Sequence, residues 1–343
     1  MVKASAPPAQ ASQRRRLWLG GGRGYGEWRI GHSVGRRIGA LLTRKFAALP
    51  MLAFLPPALR GFLAGALLSL STVLLTLLMM PPALLKLLHP PLPIKRLCDQ
   101  ALTALAARWV AINNGWIVAV RARGTPEWEV QGVESLDPRG WYLVSSNHQS
   151  WVDILVLQRI FHGHIPFLKF FLKSELIWVP VIGLAWWALD FPFMKRGKGN
   201  GARGSDLQTT RQACEKFKRI PTSVINFVEG TRFTPAKHAA QESPYQHLLK
   251  PKIGGLGIAL ATMGEQFTAL LDVTIVYPQG IPLFTDLLCG RIPTLRVRVQ
   301  ARPIPPDLLN GDPVMDRAYR RRLGQWVDAQ WADKDRLIGE LLR

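Results

Sequence analysis

The chain has 343 residues, 48% of them hydrophobic, and carries 44 Lys and Arg against 23 Asp and Glu, a formal net charge of +21. This length and apolar content exclude disorder throughout and suffice for one large domain, or a domain with appendages. The basic excess suits polyanionic partners, whether nucleic acid, an anionic membrane surface, phosphorylated substrates or an acidic carrier protein, and charge alone does not choose among them.

Residues 1–35 are rich in Ala, Pro, Gly and Arg and show no period of 2 or 3.6, so residues 1–50 are expected to form a disordered basic arm. The first 60 residues hold 11 Lys and Arg against the single acid Glu27. The arm is either a grip for anionic headgroups, at about 1 kcal/mol per basic residue near the surface, or a solvated tail. A natural start at Met51 would remove it.

From Gly61 to Met80 the sequence GFLAGALLSLSTVLLTLLMM carries no charge over 20 residues, long enough to cross a hydrocarbon core of about 30 Å. The run exceeds a signal-peptide core and lacks a clear small-residue cleavage site. Pro81-Pro82 is expected to break the helix. A second helical pattern, carrying Leu97, Leu102, Leu105, Trp109 and Ile112, runs from Arg96 to Val120. Residues 51–122 are therefore expected to be membrane-embedded helices. Basic residues flank the first helix on both sides, with Arg44, Lys45 and Arg60 before it and Lys86, Lys95 and Arg96 after it, whereas a simple span favours asymmetry. A helical hairpin or pair of helices held in one leaflet is preferred, and a single true span stays open.

The remainder, residues 123–343, alternates strand and helix patterns in the manner of an α/β domain. Candidate strands are Trp128–Val133, Trp141–Ser145, Ser223–Phe227, Leu270–Tyr277 and Leu295–Ala301. An amphipathic helix is expected from Asp206 to Lys218. Another is expected to start with Asp312 as N-cap and Pro313 at its first position, carrying Met315, Tyr319, Leu323 and Trp326. The cysteines Cys98, Cys214 and Cys289 form no C-x-x-C pair, and a reducing compartment is the simpler reading. There is no H-E-x-x-H, and His162 and His164 lack an acidic or cysteine cluster nearby, so no metal site is expected. No helix-turn-helix, zinc finger or RNP signature supports a nucleic-acid partner.

Two constellations carry chemistry. In the first, NHQSWVD follows the apolar strand Trp141–Ser145. Five positions along an ideal helix is a rotation of about 500°, so His148 and Asp153 meet only if His148 sits in the turn before the helix. An imidazole of ordinary pKa about 6.5 can take a proton from an attacking hydroxyl, with a carboxylate fixing its tautomer. Ser150-x-x-Asp153 also fits a capping box, which would leave His148 an ordinary turn residue. In the second, Glu229-Gly230-Thr231-Arg232 ends the strand Val224–Phe227. A glycine there permits close approach, and a hydroxyl and an arginine offer donors to phosphate; a turn with a surface ion pair is the alternative. No plausible cysteine nucleophile is present, which makes a covalent acyl-enzyme less favoured.

NHQSWVD resembles the N-H-x-x-x-x-D signature of the glycerolipid acyltransferases, and FVEGTRFT resembles their F-P-E-G-T-R block. From about Leu63 to the C-terminus the chain is similar to the PlsC-like 1-acylglycerol-3-phosphate acyltransferases. WALDFPFMKR and VEGTRFTPAKH are closest to the bacterial YihG-type members. The resemblance implies an α/β acyltransferase domain, a mixed sheet flanked by helices, behind an N-terminal membrane-embedded segment. It implies His148 as general base and Asp153 as its partner, Arg196 on the acceptor phosphate, and Glu229, Gly230, Thr231 and Arg232 in acceptor binding. It further implies a lysophospholipid acceptor, acyl-CoA or acyl carrier protein as co-substrate with no cofactor, contact with anionic membrane lipids, and an active site facing the cytoplasm at a bacterial inner membrane. Val228 for the usual proline, Phe233 for a common serine and Tyr277 within a small-apolar run depart from the pattern.

Overall fold

The computed structural model describes residues 50–170, 172–191, 193–194, 221–309, 311–313 and 315–343. The basic arm, Arg196 and the helix expected at 206–218 lie outside them. Two long helices come first, α1 (Pro57–Leu87) and α2 (Leu92–Ala119), and their short connection returns α2 antiparallel along α1. Polar fasteners close the pair at intervals. Arg60 Nη1 donates to Val120 O at 2.7 Å, Trp109 Nε1 donates to Thr72 Oγ1 at 2.9 Å, and Lys86 Nζ pairs with Asp99 at 2.6 Å.

The break expected at Pro81-Pro82 does not occur, because α1 runs through both prolines. Each proline denies a helical donor to a carbonyl one turn back, that of Leu77 or Leu78. The last turn is held from outside instead. Ala83 is buried, and Lys86 pairs with Asp190 at 2.5 Å as well as with Asp99.

The strands are β1 (Glu129–Gln131), β2 (Tyr142–Ser146), β3 (Leu168–Phe170), β4 (Leu172–Lys173), β5 (Phe193–Met194), β6 (Ser223–Phe227), β7 (Ala269–Val276) and β8 (Arg296–Arg302). Among the described residues, six of them form a mixed sheet of order β1-β8-β7-β2-β6-β3, parallel except between β7 and β8, while β4 and β5 pair separately. Ser223–Phe227 coincides with its expected strand, and the other four differ by one or two residues at their ends.

Two helical layers cover the sheet. The first is α1, α2, α3 (Val152–Phe161) and α4 (Ile182–Ala188); after α5 (Pro235–Ala240), the second is α6 (Gly254–Met263), followed beyond α7 (Phe284–Leu288) by α8 (Arg317–Leu342). Strand periodicity sorts the side chains between them: Leu271, Val273 and Ile275 of β7 join the first core, Leu270 and Val276 the second.

The C-terminal helix begins later than expected. Asp312 accepts from Met315 N in a preceding turn (2.9 Å), whereas Asp316 caps α8 by accepting from Ala318 N and Tyr319 N at 2.8 and 3.0 Å. The buried Tyr319, which donates to Leu308 O at 3.0 Å, fixes that later start. Farther along α8, the wholly buried Lys334 meets Asp272 of β7 at 2.6 Å and the carbonyl of Val273.

Both ends of α1 rest on the α/β part. At Gly61 an added Cβ would lie 2.6 Å from Cys289 Sγ, just past α7, and at the far end Lys86 holds Asp190 beyond α4. The helix therefore lies along the domain and does not project from it.

Candidate active site

β2 ends at Ser146, and the chain must turn before α3. Asn147 makes the turn rigid. Its side-chain amide donates to Ile275 O at 2.9 Å and accepts from Ile275 N at 2.8 Å, so a side chain takes the place of a strand residue beside β7. His148 follows in the turn and Asp153 in the first turn of α3.

His148 Nδ1 lies 2.9 Å from Asp153 Oδ2. The same oxygen accepts from Gln149 N at 2.6 Å and Ser150 N at 2.9 Å, while Oδ1 accepts from Tyr277 Oη at 2.6 Å. One carboxylate thus holds both the backbone of the turn and the histidine. With Nδ1 donating to Asp153, Nε2 is left as an acceptor, the state a general base needs. Phe227 stacks on the imidazole, with centroids 3.9 Å apart and planes 15° from parallel, and fixes the ring from its face.

Glu229 is wholly buried and its carboxylate points back at the chain. Oε1 accepts from His148 N at 2.8 Å and Oε2 from Leu249 N at 3.1 Å. Burial pushes its carboxyl up to about 7, against the pull of those two amides and of Lys334. Phe233 N donates to His148 O at 2.7 Å, so the His148 peptide is gripped on both sides by the segment after β6. In this geometry Glu229 bears on the position of His148 from within the protein.

The rest of the Glu-Gly-Thr-Arg block forms a basic rim beside the turn. Gly230 has φ of 66°, and an added Cβ would come within 3.1 Å of Lys252 Cδ. Thr231 Oγ1 accepts from Lys237 Nζ at 2.9 Å, and the exposed Arg232 lies over the Trp151 ring at 4.6 Å. Arg196 cannot be added to this rim, since it falls outside the described residues. Among those residues no group of three or more His, Cys, Asp or Glu is placed to hold a metal.

His148 and Phe227 also line a cavity of about 630 Å³. Its walls come from α1 (Leu75, Met79), α2 (Trp109), α3 (Leu155) and α4 (Ile182, Trp186), and are almost entirely apolar. The volume and lining suit a lipid-like chain.

Comparisons with known proteins cover the same part of the chain. Residues 127–278 match the Acyltransferase family. The matched segment contains both constellations and ends one residue after Tyr277. The 1-acyl-sn-glycerol-3-phosphate acyltransferase 2 of Arabidopsis thaliana is 30% identical over 211 residues, 57% of this chain and 50% of that protein. The 1-acyl-sn-glycerol-3-phosphate acyltransferase epsilon of Mus musculus is 25% identical over 225 residues, 57% of this chain and 56% of that protein. The chain spans about half the length of these curated relatives. The crystal structure of the 1-acyl-sn-glycerophosphate (LPA) acyltransferase PlsC from Thermotoga maritima aligns with 80% of this chain and 96% of its own, with a TM-score of 0.47 and 17% identity.

Sequence reasoning did not assign Tyr277, Phe227 or Lys237 a place at the site. A phenol closing an aliphatic strand, opposite a turn that carries His and Asp, is the signal that points to Tyr277. Phe227 and Lys237 lie in the stretches FVEGTRFT and VEGTRFTPAKH, but what they touch has no local signal, because their neighbours are set by the path of the chain after β6.

Proposed function

We propose that this protein is an O-acyltransferase that moves a fatty acyl group from acyl-CoA or acyl carrier protein to the sn-2 hydroxyl of lysophosphatidic acid, giving phosphatidic acid. The observation that carries the reading is a histidine held by a buried carboxylate in the wall of an apolar cavity. His148 Nε2 takes the acceptor proton as the oxygen attacks the thioester carbonyl. The tetrahedral intermediate then expels the thiolate, which recovers that proton from the imidazolium. Binding of the acceptor phosphate is assigned to Arg232 and Arg196, and Gly230 and Thr231 are assigned to the approach to it. Glu229 holds the backbone of the base. The acyl chain occupies the cavity. Kinship nearest the YihG-type members is part of the proposal and rests on WALDFPFMKR and VEGTRFTPAKH.

The setting proposed is the cytoplasmic face of a bacterial inner membrane. Among the described residues α1 is the one helix long and apolar enough to cross a bilayer, and Phe62, Leu70, Leu77 and Leu78 leave it with an exposed apolar face. Because both of its ends rest on the α/β part, α1 with α2 fits a hairpin lying in one leaflet better than a span. Trp178, also exposed, extends that surface.

The test is transfer of labelled oleoyl-CoA to lysophosphatidic acid in membranes holding wild-type or equally expressed His148→Ala protein. Loss of about 10²- to 10⁴-fold in the variant is expected for removal of a general base. Equal rates would remove His148 from the chemistry. Transfer by the wild type to other lysolipids only would move the acceptor, not the reaction class.

A further inference from the structure

We infer that Tyr277 is a positioning residue for the His148–Asp153 pair, its hydroxyl fixing the rotation of the Asp153 carboxylate and thereby setting how readily His148 takes a proton. The inference rests on the reading of His148 as base and adds a residue to it.

Tyr277 directly follows β7 and is buried. Its hydroxyl donates to Asp153 Oδ1 at 2.6 Å, on the opposite oxygen from His148. The height of Tyr277 is not free to vary, because Asn147 clasps both the N–H and the C=O of Ile275 two residues earlier. The clasp that starts the His148 turn therefore also brings the phenol level with Asp153. Burial and the neighbouring Asp153 charge push the phenol well above its ordinary range, so it stays a donor wherever the base is active.

A donor on Oδ1 draws charge from the carboxylate and weakens its hold on an imidazolium proton. With the hydroxyl removed, Asp153 favours the protonated histidine more strongly, and the base empties only at higher pH. The other charged groups at the turn are Glu229 after β6, Arg232 over Trp151, and Lys334 of α8 acting on Glu229. They are common to wild type and variant, so a difference between the two reports the hydroxyl.

The experiment compares wild type with Tyr277→Phe as full-length protein in detergent. The titration of the His148 imidazole is followed by NMR on ¹³C-labelled histidine, assigned with His148→Ala, and the pH profile of kcat/KM is measured beside it. Tyr277→Phe is expected to raise the midpoint of both by about half to one pH unit. It should lower kcat roughly tenfold, part of what a general base contributes, with KM for the acyl donor little changed. Placing 3-fluorotyrosine at 277, a stronger donor of nearly the same size, should move the midpoints the other way and covers the case of a Phe variant that does not fold. Midpoints unmoved by either replacement overturn the inference, even if the rate falls equally at every pH. A shifted histidine titration without transfer to any lysolipid would sustain Tyr277 as positioning residue while sinking the acyltransfer reading.

Discussion

On one face of the sheet α6 and α8 close over Leu143, Val224 and Leu270, and even the buried charge of Lys334 has Asp272 and a carbonyl against it. On the other face α1 to α4 meet around about 630 Å³ of open space reaching His148. The same strands support both layers, so the difference lies in the helices. The second layer is packed for stability, and the first keeps a void whose apolar lining would be better buried if stability alone decided.

Three substitutions sharpen or break this contrast. Lys334→Ala on the packed face removes one of the two cations at the buried Asp272 and should cost about 3–5 kcal/mol. Urea denaturation would measure it, and a loss under 1 kcal/mol would mean that Arg302, 3.1 Å from Asp272, carries the pair alone. Next comes Glu229, which lies where the two layers meet the site. Its carboxyl holds a proton more tightly in the folded protein than in the unfolded chain, so its contribution is greatest below the ordinary glutamate range and declines as pH rises towards 7. The expected decline across that window is about 3 kcal/mol, visible as a falling denaturation midpoint that Glu229→Gln flattens. The smallest effect belongs to the open face. Thr76→Phe, from the cavity wall, should reduce transfer from oleoyl-CoA relative to decanoyl-CoA roughly tenfold while shifting stability by less than about 1 kcal/mol. Equal loss with both donors would mean that the chain lies elsewhere.

What could be read in the sequence follows the range of the interactions. The strands were legible because alternation and turn residues are local, and the meeting of His148 with Asp153 was legible because a strand-to-helix turn is the one geometry that joins residues at that spacing. Local rules failed where distant contacts override them. Pro81-Pro82 reads as a break, but Lys86 is tied to residues 13 and 104 positions away. Glu229 reads as a group for the acceptor, yet its oxygens face His148 N and Leu249 N, a choice made by how β6 lies beside β2. Lys334 lies on a helix whose pattern gives no hint that a cation will be buried, since its partner Asp272 is on another element.

The clasp between Asn147 and Ile275 also has a kinetic consequence. It joins residues 128 positions apart, and closing so large a loop comes late, after the local helices and neighbouring strands have formed. The histidine turn cannot be ordered in its final form until β7 has been laid against β2. During synthesis the chain must therefore pass Tyr277 before the His148 turn is complete, while α1 and α2, more than 150 residues upstream, are already free to pair.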